Sequence, residues 1–167
     1  HVIYVSTLSK VFAPGLRIGF FAAPEFIRQW LVLGKQGVDL HTSTFNQALA
    51  ARYLAGGHLE HHLPRIIDLY RPKQEAMSRS IEKRLPTEFT CSPSDGGMFL
   101  WVSGPEGMDM EVLYHRCVDK GVAFVPGKFF FTRENEGAQT MRLNYTMADE
   151  NTIDLALQRM ASAIAEM

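Results

Sequence analysis

Apolar and polar positions change rhythm several times along the chain, and each change predicts an element. Directly after His1, the β-branched and aromatic run Val2, Ile3, Tyr4 and Val5 predicts a buried strand. A polar loop follows, a Pro14-Gly15 turn leads to a second apolar run over 18–23, and Pro24 closes it. Over 24–37, Phe26, Ile27, Trp30, Leu31 and Leu33 recur at helical spacing, with Gly34 and Gly37 as stops. Beyond the loop holding His41, Ser43 or Thr44 caps a helix bearing Ala48, Leu49, Ala51, Tyr53 and Leu54, which ends at Gly56-Gly57.

A long amphipathic helix is then predicted from Leu59, Leu63, Ile66, Ile67, Tyr70, Met77, Ile81 and Leu85. Pro64 and Pro72 sit inside it and predict a kink or a restart, since each lacks a donor and crowds the preceding turn. From Phe89 onward short strands alternate with helices: strands over 98–102, 122–125 and 141–145, and helices over 110–120 and 149–165, the first stopping at Gly121. That alternation predicts an α/β layer. A chain that opens directly on a strand also reads as the C-terminal portion of a longer protein, because a lone strand there would be an unprotected edge.

Composition narrows the function classes. A chain of 167 residues with 46% hydrophobic and 21% charged positions can build a core without disulfides or a structural metal. Seventeen Lys and Arg against eighteen Asp and Glu give a net charge of -1, which offers no electrostatic footprint for nucleic acid or an anionic membrane. No apolar run is long enough to predict a membrane span. Cys91 and Cys117 lack metal or redox spacing, so a reducing cytoplasm is the expected setting.

The densest chemistry lies in Ser6-Thr7-Leu8-Ser9-Lys10 and the Pro14-Gly15-Leu16-Arg17-Ile18-Gly19 that follows. A lysine at the end of an apolar strand is expected to be partly desolvated, which lowers its pKa and frees its amine to condense with an aldehyde. Hydroxyls of Thr7 and Ser9 and the planar guanidinium of Arg17 suit a phosphate dianion. One loop can thus serve an aldehyde and a phosphate, the two groups of pyridoxal phosphate. By residue type alone, the alternative is an ordinary loop lysine beside a surface arginine.

Ser9-Lys10, three residues, then Pro14-Gly15, Arg17 and Gly19 resembles the lysine signature of the class I and II aminotransferases, the fold type I pyridoxal phosphate enzymes. Asn46-Gln47-Ala48-Leu49, Gly96-Gly97-Met98-Phe99-Leu100-Trp101, the run from Gly121 to Pro126-Gly127, and Met141-Arg142-Leu143-Asn144-Tyr145 stand in the family's order. The chain most resembles the subgroup of 2-aminoadipate and kynurenine aminotransferases.

The resemblance implies a remnant of the large cofactor-binding domain over 1–42, bridging helices over 43–85 and a small C-terminal domain over 86–167. It implies that Lys10 holds pyridoxal phosphate as a Schiff base and later moves a proton at the substrate α-carbon, while Thr7, Ser9 and Arg17 bind the phosphate. Arg142 would clamp the substrate α-carboxylate. Gly97, with Gly96, would let the backbone approach substrate, or form a plain bulge or turn. Thr42 and Ser43 would reach a neighbouring subunit's phosphate, or only cap a helix.

His58, His61 and His62 read as a polar helix surface rather than a metal site, and Phe129, Phe130 and Phe131 as core and pocket wall rather than an interaction patch; the resemblance places this stretch close to the active site, where one of the three would touch substrate. Expected substrates are an amino acid and a 2-oxo acid, in a cytoplasmic homodimer. Family members carry an aspartate for the pyridine nitrogen, a stacking aromatic residue and further phosphate donors upstream of the lysine. These would precede His1, so the isolated chain is expected to be inactive. An aminotransferase-like regulator and a lyase or decarboxylase on the same scaffold are the alternatives.

Overall fold

The computed structural model describes residues 2–134 and 136–167; His1, at the head of the expected first strand, lies outside them. Two units form, His1–Ile66 and Ile67–Met167, and each is described by itself.

In the first unit, strand β1 (Tyr4–Thr7) pairs antiparallel with β2 (Gly19–Ala22), Tyr4 opposite Ala22 and Thr7 opposite Gly19. The sequence predicts a buried strand here. Val2 and Val5 are instead 78% and 73% exposed, because a two-stranded sheet buries its apolar faces only under a covering layer. Helix α1 (Glu25–Asp39) runs through both glycines expected to stop it. Glycine weakens a helix by about 1 kcal/mol without breaking it, and the Lys35–Asp39 pair at 2.8 Å ties the last turn across Gly37. Helix α2 (Thr44–Ala55) starts where predicted, with Ser43 Oγ accepting from Asn46 N at 3.4 Å, and Gly56 closes it.

Helix α3 (His58–Arg84) begins in the first unit and continues in the second. It corrects the expected restart: the helix is continuous through Pro64 and Pro72. Each proline forfeits one backbone bond, and a helix of 27 residues retains the bonds on either side.

The second unit has β3 (Thr90–Cys91), β4 (Phe99–Ser103), β5 (Val125–Pro126) and β6 (Thr140–Asn144), all antiparallel, in the order β3-β4-β6-β5. Helices α4 (Met110–Asp119) and α5 (Glu150–Ala165) complete it. Alternation along the strands sorts the sheet faces. Leu100, Val102, Met141 and Leu143 join Ile81, Leu113, Cys117, Ile153 and Leu157 in one core. Phe99, Trp101 and Arg142 take the alternate positions and are half-buried. The strand expected over 122–125 shrinks to Val125–Pro126, because the Val122 N–H caps α4 by donating to Cys117 O at 2.8 Å. Burial in this core pushes the Cys117 thiol up to about 11, so it packs as a small hydrophobe.

Two stability predictions follow from this unit. Leu157 is 2% exposed, and Leu157→Ala should destabilise the chain by about 2 to 5 kcal/mol in denaturant titration, through lost transfer energy and a cavity. An unchanged midpoint would show that the core does not close as described. Asp154 accepts from Arg84 Nε at 3.1 Å and Nη2 at 2.6 Å, and from Ser80 Oγ at 3.1 Å. The Arg84 fork holds its carboxyl down to about 2. A depressed folded-state pKa contributes stability that is complete above the unfolded value near about 4 and is lost as pH falls through the folded value. Asp154→Asn should therefore lower the thermal midpoint at about pH 6 and differ progressively less from the native chain toward about pH 2. A difference that is constant with pH would contradict this.

Candidate active site

In the first unit the ladder of β1 and β2 continues one step, with Leu8 N donating to Ile18 O at 3.0 Å, and the chain then turns sharply. Val11 N at 3.3 Å and Phe12 N at 2.9 Å both donate to Leu8 O, so Ser9 and Lys10 occupy a tight turn at the end of the strand. Thr7 ties that turn. Its Oγ1 accepts from Ser9 N at 3.1 Å and has one proton for two acceptors, Ser9 Oγ at 2.9 Å and Ile18 O at 3.2 Å. When Thr7 donates to Ser9 Oγ, the Ser9 hydroxyl has its own proton for another partner.

Lys10 is exposed, which corrects the expected partial burial: the apolar residue packed at this turn is Leu8, 7% exposed, and the lysine stands outside it. Among the described residues Lys10 has no hydrogen-bond or ion-pair partner. Most other lysines are engaged: Lys35 with Asp39, Lys73 with Thr146 O at 2.7 Å, Lys120 with Glu166 at 2.8 Å, and Lys128 with Glu111. Lys83 adds its charge to those that lower the Asp154 pKa.

Arg17 follows a 3-10 turn at Pro14–Leu16 and sits at φ 53, ψ 45. A left-handed conformation costs a residue with a side chain about 1 to 2 kcal/mol, and it persists here where both Arg17 N (3.3 Å) and Nη1 (3.1 Å) donate to Pro14 O. One of the five guanidinium donors is thereby engaged, and four remain. An amine, a hydroxyl proton and a guanidinium edge around one strand pair fit a phosphorylated aldehyde.

Helix α2 braces this loop through two residues whose positioning role the sequence reading missed. Asn46 Nδ2 donates to Leu16 O at 3.1 Å, and Tyr53 OH donates to Val11 O at 3.2 Å while its ring stacks on Phe12 at 4.1 Å. Positions 46 and 53 are two helical turns apart and so share a face; that spacing is the available signal. Ser43 caps α2, and Thr42 O accepts from Gln47 Nε2 at 2.8 Å. His58 stacks near Tyr53 at 5.8 Å, and His61 Nδ1 lies 2.7 Å from Gly57 O.

In the second unit, Arg142 on β6 stands opposite Trp101 on β4 and Val125 on β5. Its guanidinium carbon lies 4.0 Å from the centre of the Phe99 ring and 4.6 Å from that of Phe130. Its Nε is buried without a hydrogen-bond partner. Phe129, Phe130 and Phe131, expected as core and pocket wall, are instead 65%, 46% and 41% exposed, although Phe130 and Phe131 flank Trp101 at 5.5 and 6.3 Å. Gly97 takes φ 92, a conformation that favours glycine, with open space where a Cβ would stand. Gly127 is required for close approach, since a Cβ there would overlap the buried Thr140 side chain. Lys10, Thr7, Ser9 and Arg17 thus gather in the first unit, and Arg142 and Gly97 belong to the second.

The sequence profile of "Aminotransferase class I and II" matches residues 1–160. The aromatic-amino-acid aminotransferase 1 of Thermococcus litoralis is 45% identical over 167 residues, covering 99% of this chain and 40% of that protein. A multiple substrate aminotransferase from Thermococcus profundus superposes with a TM-score of 0.89 at 42% identity, over 99% of this chain and 41% of the other. An alpha-aminoadipate aminotransferase from Thermus thermophilus, complexed with N-(5'-phosphopyridoxyl)-L-leucine, gives 0.85 at 38% identity, over 99% and 42%. The chain therefore spans about 40% of the length of the relatives it matches. With the lysine turn, the arginine of β6 and a profile match over nearly its whole length, this chain belongs to the class I and II aminotransferase family.

Proposed function

We propose that this chain carries the cofactor lysine and the carboxylate-binding arginine of a pyridoxal phosphate-dependent aminotransferase, which moves an amino group from an amino acid to a 2-oxo acid. The observation that carries the reading is the turn after β1, where Lys10, without a partner among the described residues, follows the paired Thr7 and Ser9 hydroxyls, and Arg17 leads into the strand that pairs with β1. Pyridoxal phosphate, when bound, supplies an aldehyde and an electron-withdrawing ring. Lys10 would hold it through Nζ, and the same amine would serve as the base that moves a proton at the substrate α-carbon. Ser9 and Arg17 bind the phosphate with charge-assisted hydrogen bonds, and Thr7 holds Ser9 in place. Asn46 and Tyr53 keep the turn in register from α2. Arg142 binds a carboxylate of the substrate with its fork, and Gly97 supplies backbone that no Cβ shields.

The same reading includes a cytoplasmic homodimer. Free thiols at Cys91 and Cys117 support the compartment, and the exposed apolar side chains of Trp30, Val38, Leu40 and Phe45 support association. The test is a product assay on the whole protein with pyridoxal phosphate, an amino acid and a 2-oxo acid. A new 2-oxo acid formed one for one with a new amino acid is the expected result. Released ammonia or carbon dioxide would assign a different reaction.

A further inference from the structure

Arg142 sits where a cation is costly. The side chain is half-buried, Nε has no hydrogen-bond partner, and none of the ion pairs among the described residues includes it. An unpaired guanidinium in such a place needs another source of stabilisation. Aromatic rings provide it: Phe99 and Phe130 both lie within cation–π distance of the guanidinium carbon.

Both rings are tied to Trp101. Phe99 is on β4, two residues from Trp101 and on the same sheet face, and Trp101 is the cross-strand partner of Arg142. Phe130 packs edge-on against Trp101 at 5.5 Å, in the 3-10 turn at Gly127–Phe130. The turn itself is seated by Gly127 against Thr140, two residues before Arg142 on β6. Rings differ from a carboxylate in one respect that matters here. A π face fixes a planar guanidinium and stabilises its charge without neutralising it, whereas an Asp or Glu would occupy the fork.

We propose that Phe99 and Phe130 are positioning residues that hold the Arg142 guanidinium by cation–π contact and leave its fork and charge available to an incoming carboxylate. The proposal rests on Arg142 being the carboxylate-binding residue, and its test separates the two ideas.

The full chain, labelled with nitrogen-15 at arginine, is titrated with acetate while the Arg142 Nε–H resonance is followed, the resonance being assigned from Arg142→Lys. Phe99→Leu and Phe130→Leu are made separately, so that loss of fold in one leaves the other to decide. Phe130→Tyr is the conservative rescue, and Phe131→Leu, which removes a ring near Trp101 that is not among the cation–π partners of Arg142 in the described residues, is the control. Each Leu variant should weaken acetate binding about fivefold and shift the Nε–H signal as the ring current is lost. Phe130→Tyr and Phe131→Leu should bind as the native chain does. Equal binding by native and folded Leu variants would leave Arg142 as the carboxylate site and overturn the positioning role. Equal losses in Phe131→Leu would also overturn it. If acetate fails to bind the native chain, the carboxylate reading of Arg142 falls, and the proposal with it.

Discussion

Lys10→Ala should abolish borohydride-trapped pyridoxal phosphate at the turn after β1, and Lys10→Arg should do the same. The argument is one of competition among amines. Trapping requires an amine that can reach and attack the aldehyde, and an amine already bonded to a carboxylate or carbonyl must first give up that contact. The chain has six lysines. Four are hydrogen-bonded or ion-paired, at positions 35, 73, 120 and 128, and Lys83 lies in the field of Asp154. Among the described residues, Lys10 has an unpartnered amine on a turn that also carries the Ser9 hydroxyl, with Arg17 leading into the paired strand, and these donors would raise the local concentration of a phosphorylated aldehyde. Arginine keeps the charge but cannot condense, so the second variant separates covalent anchoring from phosphate attraction. Both variants should keep weak, non-covalent phosphate binding through Ser9 and Arg17, read as competition by inorganic phosphate. An undiminished adduct in either variant would place the anchoring amine elsewhere.

Arg142→Ala should lower the affinity for a carboxylate ligand by about 30-fold or more, the cost of removing one partner from a desolvated charge pair. Arg142→Lys should lose about tenfold, because lysine restores the charge and can sit on the same rings but presents no planar fork. A small difference between Arg142→Lys and the native chain would mean that charge alone is recognised. Since Arg142 brings an unpartnered Nε and, among the described residues, no ion pair to the sheet, neither variant should lower the thermal midpoint much, and that midpoint separates lost binding from lost fold.

How much of this was legible depended on the range of the interaction. Ser43 as a cap, Gly56 and Gly121 as stops, and the alternation that buries Leu100, Val102, Met141 and Leu143 are local facts, and the pattern of residues carried them. Burial of Val2, Val5 and Lys10 depends on what covers them, which apolar runs do not encode; all three are exposed. The prolines of α3 misled because a local rule was applied to a helix whose later turns are anchored by Met77, Ile81 and Leu85 in a core. Asn46 and Tyr53 reach the lysine loop across 30 and 42 residues, and the Phe130 contact with Arg142 is likewise set by tertiary packing. The motif residues were visible in sequence; which of them, with Tyr53 and Phe130, hold the others in place became visible in the fold.

The most direct test of the central claim is to incubate the native chain with pyridoxal phosphate, reduce it with borohydride, digest it and locate the label by mass spectrometry. The account predicts a single dominant adduct on the peptide containing Ser9, Lys10 and Val11. A label on Lys83, or spread evenly over the surface lysines, or absent altogether, would contradict the assignment of Lys10 as the cofactor lysine.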